Sequence, residues 1–104
     1  MADWVGVARE GEIEPGRAVV VEVGGRRLAL CNVEGQYYCI DDVCTHDGGP
    51  LGEGELIEDR IECPRHGALF DVKTGRAVTL PAVLPVDTHE VRVEGGEIKI
   101  RIDE

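Results

Sequence analysis

The feature that most restricts what this chain can fold into is a pair of short mid-chain boxes, Cys44-Thr45-His46 and Cys63-Pro64-Arg65-His66, with residues 47–62 between them. Each box offers one thiol followed closely by one imidazole. Thiolate and neutral imidazole bind soft and borderline transition metals, so two such pairs on separate loops supply four convergent ligands, two sulfurs and two nitrogens. The fold has to bring these two loops together, and the rest of the sequence reads as the scaffold for that task.

The scaffold is expected to be all-β. Val and Ile are abundant, 14 Gly and 5 Pro punctuate the chain, and no stretch shows a helical period. Residues 4–8, 17–23, 26–31 and 36–40 read as antiparallel strands before the first box. Glu14-Pro15-Gly16, Gly24-Gly25 and Glu34-Gly35 serve as the turns, and Val19, Val21 and Val23 face Leu28 and Leu30. Between the boxes, 55–58 and 60–62 form a short hairpin about Asp59. After them come a strand over 68–72, a turn at Lys73-Thr74-Gly75, a returning strand over 76–79, and an irregular segment bracketed by Pro81 and Pro85. The tail has the cleanest alternation: Val91 and Val93, then Gly95-Gly96, then Ile98, Ile100 and Ile102, interleaved with charged residues.

With 104 residues, residues 1–104 read as a single domain, without room for a second catalytic unit. A formal charge of −10, from 21 acidic against 11 basic residues, argues against nucleic acid and anionic membrane as partners. It suits either a basic protein partner or simple solubility. The amino terminus shows no secretion signal, and no apolar run is long enough to cross a bilayer, so a cytoplasmic protein with reduced thiols is expected. Cys31 and Cys39 read as small buried apolar side chains, with a disulfide between them disfavoured in that compartment. His89 shares strand parity with Val91 and Val93 and reads as a packing or strand-end residue.

Three readings of the boxes remain open on residue chemistry. A closed Cys2His2 zinc site would make the protein an interaction module with no redox role, although C-x-H is tighter than the usual zinc spacing. An all-cysteine cluster needs a third cysteine that Cys39-x4-Cys44 does not lead to. A 2Fe-2S cluster with mixed ligation needs one Cys and one His per loop.

The segments CTHDGGPL (44–51), CPRHGALFD (63–71), KTGRA (73–77) and EVRVEGGEIKIRI (90–102) resemble the Rieske family, and the resemblance covers most of the chain. It implies a 2Fe-2S cluster with one iron on Cys44 and Cys63 and the other, at an exposed tip, on His46 and His66, through which electrons leave. It also implies three stacked antiparallel sheets: a β-sandwich base with a small cluster-binding subdomain at about 40–74. Respiratory members carry an extra cysteine in each box and a membrane helix. Here Gly49 and Arg65 occupy those box positions, and Ala68 and Phe70 replace a serine and a tyrosine that donate hydrogen bonds to the cluster.

Without those donors the reduced cluster is less stabilised, so a potential near the low end of the Rieske range, roughly −150 mV, is expected. Gly48, Gly49 and Pro50 are expected to fold over the cluster, and Arg65 either tunes docking or is solvated. This pattern is similar to the ferredoxin components of bacterial ring-hydroxylating dioxygenases. These are electron carriers, not enzymes in their own right, working between a flavin-containing ferredoxin reductase and a terminal oxygenase; this chain is expected to be such a carrier and monomeric when free. The Rieske-like small subunit of nitrite reductase is the alternative within the family.

Overall fold

Tight glycine turns set the register of the long strands. Gly24-Gly25 (φ 57° and 81°), Glu34-Gly35 (52° and 91°) and Gly95-Gly96 (58° and 82°) are left-handed at both central positions, the backbone of hairpin turns whose twist matches that of the strands they join. In a computed structural model, which describes residues 2–43, 51–64, 67–80 and 84–103, the strands run in chain order: β1 (Ala2–Arg9), β2 (Arg17–Val23), β3 (Arg26–Val33), β4 (Gln36–Asp41), β5 (Leu56–Ile57), β6 (Arg60–Glu62), β7 (Leu69–Asp71), β8 (Thr88–His89), β9 (Val91–Glu94) and β10 (Glu97–Asp103). No helix occurs among the described residues.

The strands form three antiparallel sheets with orders β1-β10-β9, β2-β3-β4-β8 and β5-β6-β7. The second lies in the middle. Across β2 and β3, Val19 pairs with Leu30 and Val21 with Leu28, so the expected valine face meets the expected leucine face. That face, with Val23 and Cys39, packs on Ile98 and Ile100 of the terminal hairpin and on Ile13. The opposite face presents Ala29, Cys31 and Ile40 to Leu51, Leu56, Ile61, Cys63, Ala68, Phe70, Val72 and Val86. β3 is therefore buried on both sides from Leu28 to Asn32, which explains why its sequence reads as a near-continuous apolar run instead of an alternation.

One expectation is corrected and a second is refined. The returning strand over 76–79 is only an isolated bridge between Ala77 and Phe70, flanked by bonds from Asp71 N to the Arg76 carbonyl (2.9 Å) and from Val78 N to the Leu69 carbonyl (2.8 Å). The chain does run back along β7, but too briefly to build a ladder. The second concerns His89. Despite its parity with Val91, it belongs to β8, paired with Cys39 of β4, while β9 lies in the outer sheet. The chain changes sheets at Glu90.

Candidate metal centre

The second box is the loop of the β6–β7 hairpin. Glu62 pairs with Leu69, so the box lies in the connection between the two strands. Cys63 leaves β6 with only 1% of its surface exposed. Its N–H donates to the Ala68 carbonyl (2.7 Å), and its own carbonyl accepts from Gly67 N (3.0 Å). Gly67 has φ 74° with open space where a Cβ would stand, so glycine is needed there for backbone conformation, not for lack of room. Pro64 and Gly67 are exposed. The loop thus starts from a buried thiol and reaches solvent within one residue.

Backbone close approaches hold this hairpin against its surroundings. A Cβ at Gly54 would collide with the Glu62 carbonyl, and one at Gly75 with the Val86 carbonyl. Gly75 has φ 79° and accepts a 2.8 Å bond from Val86 N. The Asp71 side chain caps the turn after β7, accepting from Lys73 N at 2.8 Å and Thr74 N at 3.3 Å. Thr79 Oγ1 accepts from Leu69 N at 2.9 Å.

The first box, residues 44–50, lies outside the described residues, as do Arg65 and His66. Of the four expected ligands, Cys44, His46, Cys63 and His66, the structure therefore places Cys63. The expected roles of Gly48, Gly49, Pro50 and Arg65 fall on residues outside the description as well. Among the described residues no three His, Cys, Asp or Glu side chains converge as a metal site.

The ends of the first loop are fixed. Asp42 Oδ1 accepts from Gly52 N at 2.6 Å, Asp42 Oδ2 accepts from Arg27 Nε at 3.2 Å, and Leu51 is fully buried. Sequence reasoning missed Asp42, although a signal existed. The Glu34-Gly35 turn sets a pairing in which Leu28 meets Asp41, and one step further along the same hairpin places Arg27 opposite Asp42.

Cys31 and Cys39 are free, buried thiols. Cys31 pairs with Tyr38 and Leu30 with Cys39; directly paired residues share a face and neighbours alternate, so the two thiols point to opposite sides of the middle sheet. That geometry rules out a disulfide between them. Burial pushes Cys31 up to about 12. Burial, then the nearby Cys31 thiol and Asp41 carboxylate, does the same for Cys39, also to about 12. Both therefore stay protonated and inert near neutrality. His89 is a strand-end residue as expected, but it acts through a polar contact: Nε2 lies 2.7 Å from Asp41 Oδ1. Arg26 approaches the same oxygen at 3.4 Å.

The described part of the donor set fits an iron–sulfur group: Cys63 is a buried thiol at a strand end, followed directly by exposed Pro64 and, two positions on in the sequence, by an imidazole. The model of the Rieske [2Fe-2S] domain matches residues 3–90. The chain belongs to the Rieske family. Its cofactor is accordingly a Rieske-type 2Fe-2S cluster and not zinc.

Among relatives of this Rieske domain, the ferredoxin component of the naphthalene 1,2-dioxygenase system of Pseudomonas aeruginosa is 39% identical over 97 residues, 93% of each chain. A chain in the complex of reduced oxygenase and oxidized ferredoxin in carbazole 1,9a-dioxygenase superposes with a TM-score of 0.89 at 39% identity, covering 93% of this chain and 91% of that one. A protein described as a small subunit of an NADPH nitrite reductase superposes with a TM-score of 0.80 at 16% identity, covering 94% and 97%. That last likeness is one of fold alone.

Proposed function

We propose that this chain is the ferredoxin component of a ring-hydroxylating dioxygenase system, carrying single electrons from a flavin-containing reductase to a terminal oxygenase in the cytoplasm. The observation that carries this reading is its nearly end-to-end match, at 39% identity, to a ferredoxin component of such a system, together with the burial of Cys63 at the mouth of the hairpin loop. The nitrite reductase reading has only the shared fold behind it.

In this reading Cys44 and Cys63 hold one iron, and His46 and His66 hold the other. A cluster held there would supply one-electron redox chemistry. The chain's own part is positional. The middle sheet and the β6–β7 hairpin keep Cys63 dry, while Pro64 and Gly67, on either side of the remaining box residues in the sequence, are exposed, which suits a ligand loop that would meet a partner. Ala68 and Phe70, both fully buried, present no hydroxyl to the site. The cluster-binding subdomain comprises about residues 40–74 within a single domain spanning 1–104.

The test is a visible spectrum and a reduced-state EPR spectrum of anaerobically purified protein, followed by rapid mixing with an oxygenase of this class. A red-brown protein with a low average g value that reduces the oxygenase supports the reading. A colourless zinc protein, or a loaded cluster that gives no electron to any such oxygenase, overturns it.

A further inference from the structure

We propose that Asp42 is a positioning residue for the first ligand loop: a buried latch that ties the loop's two ends to each other and to β3. The inference rests on reading Cys44 and His46 as cluster ligands. The Asp42 side chain is 0% exposed, a costly place for a carboxylate unless its oxygens are paired. Here each oxygen has its own partner on a different element. Oδ1 accepts the Gly52 N–H at 2.6 Å, and Oδ2 accepts Arg27 Nε at 3.2 Å. The Asp42 N–H also donates to the Arg27 carbonyl at 3.0 Å.

The latch is built from both sides. A Cβ at Gly52 would run into the Val20 side chain and press on Asp42 Oδ1, so only glycine lets this N–H come so close. Leu51, beside it, is fully buried. Asp42 precedes Cys44 by two positions, and Gly52 follows directly on Leu51, so one carboxylate spans the base of the whole loop. Its negative charge lies two positions before Cys44 in the sequence and is offset by a guanidinium whose own side chain is 55% exposed. Removing the carboxylate and removing the guanidinium should therefore move the reduction potential in opposite directions.

The experiment uses the cluster-loaded protein. EPR of the unsubstituted chain first establishes mixed Cys/His ligation; failure at that step refutes the ligand reading independently of the latch. Asp42→Ala should then lose its cluster about 10-fold faster in the presence of a chelator. Asp42→Asn, which keeps an acceptor for Gly52 N, should lie between Asp42→Ala and the parent in lifetime and have a raised potential. Arg27→Gln should have a lowered potential. Parental lifetimes in Asp42→Ala, or potentials that do not move in opposite directions in Asp42→Asn and Arg27→Gln, would overturn the proposal. Should Asp42→Ala not fold, the latter pair decides alone.

Discussion

The two sides of the middle sheet are built on different principles. On one side, long strands meet long strands: β2 and β3 pair over seven positions, β1 and β10 zip together from Ala2 to Arg9, and aliphatic side chains fill the space between the layers. On the other side, β5, β6 and β7 have two or three residues each. What shapes that layer is point contact: glycines against carbonyls, Asp71 capping a turn, Thr79 and Asp42 bonding to backbone. Strands this short do not stand alone in water. The first side can be stable on apolar burial, whereas the second leans on the middle sheet and, in the proposed reading, on the cluster.

Removing the metal should separate the two most sharply. Cys63→Ser removes the thiol proposed as a ligand while nearly preserving volume, so the cluster is expected to be lost. Hydrogen exchange should then speed up by orders of magnitude in β5–β7 while β2, β3 and β10 keep their protection, since local opening draws on the least stable cooperative unit first. Uniform loss of protection would show that the layers fold as one unit and would erase the distinction.

Glycine substitutions offer a smaller contrast. Gly54→Ala puts a methyl into the Glu62 carbonyl and should cost about 3 kcal/mol, with accelerated cluster loss. Gly25→Ala meets no neighbour and suffers only from its φ of 81°, which costs about 1–2 kcal/mol. Its visible spectrum should be unchanged. Chemical denaturation with the spectrum recorded in parallel measures both.

A smaller effect is expected from introducing hydroxyl donors. Combining Ala68→Ser with Phe70→Tyr should raise the reduction potential from a starting value of roughly −150 mV, because new donors stabilise the extra negative charge of the reduced state. Both positions are fully buried, so the added oxygens also cost some stability unless they reach sulfur. An unchanged redox titration would remove Ala68 and Phe70 from the explanation of the potential.

How far the sequence could be read follows the same division. The sandwich side was legible because its turns are two-residue glycine hairpins and its faces alternate. Val19, Val21, Leu28 and Leu30 met as expected, and the terminal hairpin pairs Val93 with Ile98 and Val91 with Ile100. The cluster side was legible in chemistry, through the boxes, and less so in structure. Nothing local marks Thr88 and His89 as a strand, because two residues have no period and their partner lies far back in β4. The 76–79 segment has strand composition, yet only Ala77 bridges to β7. Asp42 was hidden for a different reason: its role depends on a hairpin register and on Gly52, beyond the box, neither of which is visible from the motif itself.

The finest probe of the comparison lies within one sheet, since Cys31 faces the cluster-side core and Cys39 the sandwich core. Both thiols are pushed to about 12 from an ordinary 9.0, so folding favours the protonated form of each. Their contribution to stability is full below pH 9.0 and is lost as pH rises from 9.0 through about 12; denaturation midpoints should decline over that interval. At pH 8 both should resist alkylation in the loaded protein. After removal of the cluster, peptide mapping should find Cys31 modified several-fold faster than Cys39, because the layer over Cys31 opens while the layer over Cys39 stays closed. Equal rates would mean that the middle sheet itself opens. In that case the strength of the sandwich would depend on the metal as much as the hairpin loops do.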